Sequence, residues 1–136
     1  MIMAGCRPAM FALATLAVAL AGPAAQAQQA RPVQVGGDGT MDACSGIGQV
    51  TGLRPGGDGF LSVRAGPDAS RAEVDRLGAG TQLHLCDADG AWLGVVYADD
   101  ESADCGVTSP VPGRSAYAGP CRSGWVHSRF VNIVAG

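Results

Sequence analysis

The chain has 136 residues with 9 Lys+Arg against 12 Asp+Glu, a formal net charge of −3, and every one of its cationic side chains is arginine. That length holds one domain, and the acidic balance excludes nucleic acid and anionic membranes as main partners, since both need a concentrated basic surface. With 21 Gly, 8 Pro and few long helix formers, the composition favours turns and short strands over helices.

Residues 1–27 read as a signal peptide. Arg7 supplies the positive start, 10–21 are apolar apart from Thr15, Gly22-Pro23 breaks the run, and Ala25-Gln26-Ala27 fits the small-x-small cleavage rule. About a dozen apolar residues are too few to span a bilayer, which needs about 20, so no stable membrane insertion is expected after cleavage. Met3-Ala4-Gly5-Cys6 looks like an acylation box, but it precedes the apolar run that such a box must follow. Cleavage leaves about 109 residues, enough for one modest core, and loss of Arg7 takes the net charge to about −4.

Residues 28–43 are rich in Gln, Pro and Gly without periodicity, and are expected to be a flexible leader. The string Gly36-Gly37-Asp38-Gly39 recurs as Gly56-Gly57-Asp58-Gly59; both copies read as turns. From 44 to 136 the pattern is that of one small domain. Residues 49–53 form a brief strand, and 60–65 alternate, with Leu61, Val63 and Ala65 on one face. Gly66-Pro67-Asp68 ends that strand, and 69–77 suits a long surface loop or a single turn of helix. Residues 81–86 alternate again, with Leu83 and Leu85 inward and His84 and Cys86 outward. Asp89-Gly90 is a hairpin turn into a strand over 91–97. Residues 98–122 break the rhythm as an insertion. A strand at 124–127, one helical turn at Ser128-Arg129-Phe130 and a closing strand at 131–134 finish the chain. Such short strands with Gly/Pro turns predict a small barrel.

Setting Cys6 aside with the signal leaves Cys44, Cys86, Cys105 and Cys121, an even set suited to an oxidising compartment. No CxxC occurs, and the spacing suits neither zinc nor a redox dithiol. Four cysteines allow three pairings. Joining Cys105 to Cys121 would close the insertion, a loop worth roughly 3 kcal/mol of chain entropy, and would leave Cys44 to Cys86. The insertion would then project as a defined binding loop.

The sequence resembles the bacterial SH3-like (SH3b) domains of envelope and cell-wall proteins. The resemblance rests on Leu61-Ser62-Val63-Arg64-Ala65-Gly66-Pro67, on Leu77 and Gly80-Thr81, on Asp89-Gly90-Ala91-Trp92, and on Gly124-Trp125-Val126-His127-Ser128-Arg129-Phe130-Val131. It covers residues 60–134. It departs from the family pattern at the 98–122 insertion, where a short turn is usual, and at the cysteines. The resemblance implies a partly open five-stranded barrel without chemistry of its own, whose relatives bind peptidoglycan peptides or target a hydrolase.

The expected fold is therefore all-β, a small, partly open, disulfide-braced SH3-like barrel of five to six short strands. Most of the seven aromatic residues fall around the third and fourth strands. Trp92, Tyr97, Tyr117 and Trp125 are the candidate ligand-binding residues, with Trp92 and Trp125 flanking one groove and Tyr117 an exposed anchor on the insertion. The same tryptophans would serve equally as core. The acidic run Asp99, Asp100, Glu101 and Asp104 lacks the spacing of a calcium loop; it reads as a solvated loop able to attract a cationic amine. Arg64 reads as a brace for the turn that follows it. No nucleophile motif accompanies His84 or His127, so neither an enzyme, a metal nor a cofactor is expected. The expected function is that of a periplasmic or secreted module binding a peptide or peptidoglycan component. The alternative is an inhibitor-like subunit docking on another exported protein.

Overall fold

A computed structural model describes residues 3, 5, 8–19, 30–54, 59–100 and 102–136. Residues 8–19 carry no regular secondary structure and are exposed, and the expected cleavage site at 25–27 lies outside the described residues, as do Cys6, Arg7, Glu101 and the turn at 55–58. Among the described residues no helix is long and apolar enough to cross a membrane.

In chain order the elements are β1 (Gln34–Val35), β2 (Asp38–Asp42), β3 (Gly46–Val50), β4 (Leu61–Arg64), β5 (Glu73–Leu77), β6 (Gln82–Asp89), β7 (Trp92–Tyr97), β8 (Pro110–Val111), β9 (Ser115–Ala116), β10 (Arg122–His127), a 3-10 turn (Ser128–Phe130) and β11 (Val131–Ala135). Seven strands form one antiparallel sheet in the order β11-β3-β6-β7-β10-β4-β5. Its ends, β11 and β5, do not pair with each other, so the sheet is not closed. The protein is all-β and disulfide-braced, with Cys44 joined to Cys86 and Cys105 to Cys121. Two intact disulfides are the chemistry of an oxidising compartment.

The alternation read from sequence holds through β4, β6 and β7. Leu61, Val63, Leu77, Leu83, Val95 and Val126 meet in the main core, which Val50 and Tyr97 complete. Gly90 makes the β6–β7 turn at φ 56°, a left-handed conformation that glycine adopts without strain. One element differs from expectation. Residues 73–77 are not loop or helix but a strand, pairing Leu77 with Leu61 and Asp75 with Val63. Its polar side chains mask it, because β5 is an edge strand whose outward face is wet.

The larger difference is a second core on the other face of the sheet. Val96 is as fully buried as its neighbour Val95, yet the two point to opposite sides of β7. What covers Val96 is the segment expected to be a flexible leader and the insertion expected to project. Val35, Ala43, Cys44, Cys105 and Val107 pack with it, flanked by Cys86, Val111, Tyr117 and Cys121. β1 pairs with β9 and β2 with β8, so leader and insertion bind each other while both lie on the sheet. Residues 30–43 are thus an ordered covering layer, and the insertion folds back along it.

Gly94 marks where the layer touches down. A Cβ there would sit 2.7 Å from Asp87 Cβ and 3.0 Å from Val33 Cγ1. Gly94→Ala is expected to destabilise the fold by about 1–3 kcal/mol through overpacking, read as a lower urea midpoint, and to expose residues 30–43 to protease. An unchanged midpoint and cleavage pattern would show that Val33 does not pack there.

Candidate functional site

The aromatic residues singled out from sequence do not form a shared groove. Trp125 is 0% exposed, and its Nε1–H donates to the Arg31 carbonyl at 2.8 Å. Its register partner on β7 is Gly94, so it lies on the face that the leader covers. The Arg31 guanidinium stacks 5.2 Å from the indole and is held by Asp89. With every face and its one donor occupied, Trp125 offers nothing to a ligand; it is the floor on which the leader rests.

Tyr97 is buried in the main core, with its hydroxyl donating to Asp75 Oδ2 at 2.8 Å. Burial, then that carboxylate, raise the phenol well above its ordinary range, so it acts only as a fixed donor. Tyr117 is no exposed anchor either. Its hydroxyl donates to the Cys105 carbonyl at 2.8 Å and accepts from the Cys121 amide at 3.1 Å, bridging the two ends of the Cys105–Cys121 loop. Trp92 is half-buried against His127, with ring centroids 5.4 Å apart. Arg64 donates to the Arg71 carbonyl at 3.3 Å and so braces the following turn.

What the fold does build is a cleft beneath the insertion. Its volume is about 470 Å³, and it lies between the start of β6 and residues 98–108. Thr81, Gln82 and His84 line one side; Asp99, Ser102, Asp104 and Thr108 line the other. Thr81, Ala98 and Asp99 also line a smaller hollow of about 210 Å³ that reaches Asp75, Tyr97 and Arg122, so the two are neighbours.

Each wall is fixed. Asp100 accepts from the Ser102 amide and hydroxyl at 2.9 Å, and Asp104 accepts from the Gly106 amide at 2.8 Å. The acidic run therefore spends much of its charge tying its own turns, as short Asx turns do. Asp99 is 3.0 Å from Arg122 Nε. Behind the wall, the Cys105–Cys121 bridge and the Tyr117 hydroxyl hold the loop's two ends together.

His84 is the anomaly. It points to the same face of the sheet as its register partner Val96, and its Nδ1 is the one buried side-chain polar atom among the described residues with no hydrogen-bond partner. A buried, unsatisfied ring nitrogen costs about 1–3 kcal/mol unless something bonds to it. Burial lowers the affinity of His84 for a proton, while the nearby Asp104 carboxylate acts against that shift. Burial thus favours the neutral ring, in a wall that it shares with Asp99 and Asp104. Sequence reasoning passed it over because a lone histidine on a strand carries no local mark. Its sharing an outward face with Cys86 was the one usable hint.

The chain matches no family model, no curated protein and no solved structure.

The sign of the His84 effect follows from its depressed folded pKa. As pH falls, the unfolded chain takes up the proton first, near 6.5, so stability from the neutral ring is present above that value and is lost below it. NMR titration of the His84 ring is expected to give a midpoint below 6.5, and Asp104→Asn is expected to lower it further. A midpoint at or above 6.5, or one that rises in Asp104→Asn, would contradict this environment.

Proposed function

We propose that the chain is a non-catalytic, exported SH3-like binding module, and that it takes the cationic amine of a peptide in the cleft beneath the insertion. The observation that carries this reading is the cleft itself, in which His84, Asp99 and Asp104 share the lining, with the buried, unpartnered Nδ1 of His84 in its wall. An ammonium group brings N–H donors for the carboxylate oxygens and the positive charge that they attract. Hydroxyls of Thr81, Ser102 and Thr108 and the Gln82 amide supply further partners for a peptide backbone.

Within the span of the resemblance, the antiparallel strands β4, β5, β6, β7, β10 and β11, with a 3-10 turn between the last two, support the SH3-like reading. The signal-like start and the two disulfides support a periplasmic or secreted setting. There the ligand class that fits best is the amine-bearing peptide of the cell wall. A wedge-like subunit docking on another protein has less support, because the insertion lies against the sheet instead of projecting from it.

The test is retention on isolated cell-wall peptidoglycan. The protein is expected to bind, and binding is expected to fall about tenfold or more in Asp104→Asn, in His84→Ala, and after acetylation of the wall's free amines. Equal retention on native and acetylated wall, or no retention on either, would refute the assignment.

A further inference from the structure

A second groove lies elsewhere, where the chain leaving β3 meets the 3-10 turn. Gly52, Leu53, Arg54, Gly59, Phe60, Arg129 and Phe130 line a space of about 580 Å³. Its two sides are tied together, since the Thr51 amide donates to the Phe130 carbonyl at 2.9 Å. The 3-10 turn is itself fixed, with the Arg129 amide donating to His127 Nδ1 at 3.2 Å. Gly52 adopts φ 72°, and a Cβ there would come within 3.8 Å of the Phe130 ring, so the loop turns closely against the aromatic wall.

The charge pattern singles this groove out. Arg31 pairs with Asp89, Arg76 with Glu73, Arg114 with Asp87, and Arg122 with Asp75 and Asp99. Arg54 and Arg129 are exposed, both line the groove, and neither has an ion pair among the described residues. In a chain with more acids than bases, two guanidinium groups at one groove without an ion pair among the described residues concentrate positive potential there. Between them lie half-buried Leu53, Phe60 and Phe130. Arg129 sits 5.6 Å from the Phe130 ring centroid, a stacking that leaves the guanidinium edge free to donate.

We propose that this groove receives the C-terminal carboxylate of an extended peptide whose last side chain is apolar. A planar fork of N–H donors matches a carboxylate, and a C-terminal residue carries that anion directly beside its own side chain, as the paired arginines and apolar wall require. Two cations on a net-acidic protein are too few to hold an anionic membrane. The proposal is independent of the amine cleft, and the probe is chosen so that the two fail separately.

The experiment is a ¹H–¹⁵N titration of the full chain with N-acetyl-Ala-Ala-Leu, which has no free amine, against its C-terminal amide and against inorganic phosphate. The free acid is expected to give saturable shifts at Gly52, Leu53, Arg129 and Phe130, with the amide about tenfold weaker or worse. Arg54→Gln and Arg129→Gln are each expected to weaken the acid, and raised salt to do the same, with thermal stability unchanged because both side chains are exposed. Acid and amide binding equally, shifts confined to other regions, or full affinity in both variants would overturn the site. Phosphate binding as tightly as the acid peptide would overturn the peptide assignment.

Discussion

The Trp125 indole donates to the carbonyl of Arg31, and that bond places the largest fully buried side chain of the sheet under a segment with almost no regular structure of its own. Without the covering layer, Trp125 and Val96 would face water on the same side of the sheet. With it, β7 is buried on both faces, and a chain this small gains a second apolar core. Residues 31–35 do the covering through backbone bonds as well as side chains: the Arg31 amide donates to Ala65 O at 2.8 Å, and the Tyr117 amide donates to Val33 O at 2.9 Å. The insertion is held down by the same residues that cover the tryptophan.

The disulfides stabilise that layer where short strands cannot. In the chain-entropy model, cross-links across separations of 42 and 16 residues are worth about 4 and about 3 kcal/mol respectively. Two-residue pairings such as β1 with β9 would not persist alone. Either cross-link is enough to offset the roughly 1–3 kcal/mol of an unsatisfied His84 nitrogen. A polar cleft between a rigid strand and a tethered loop is therefore tolerable here, whereas an untethered loop would move to satisfy the nitrogen or expose it.

Much of the sheet was legible in the sequence. Alternation in 61–64 and 82–86, the Asp89-Gly90 turn and the apolar run at 92–97 follow from burial of one or both sheet faces, and each appears where expected. The cysteine pairs also follow from the preference for closing the insertion. The covering layer was not legible, because its pairings join residues about eighty positions apart and its strands are too short to show a period. Reading the leader as flexible also changed which side chains looked accessible. With the leader taken as flexible, Trp125 looked available; once Arg31 lies over it, the indole is buried and structural. Tyr117 shows the same logic, since its hydroxyl is consumed by the backbone of both cysteines it lies between. β5 was missed because an edge strand keeps Glu73, Asp75 and Arg76, which read as loop.

The second core and the cleft beneath the insertion both depend on residues 31–35 staying seated on the sheet. Hydrogen exchange at the two indole N–H groups reads that contact directly. The Trp125 indole is expected to exchange as slowly as the amides of β7 and β10, while Trp92 exchanges quickly. Fast exchange at Trp125 in the oxidised, folded protein would mean that the leader is not docked, and that neither the second core nor the cleft beneath the insertion exists as described.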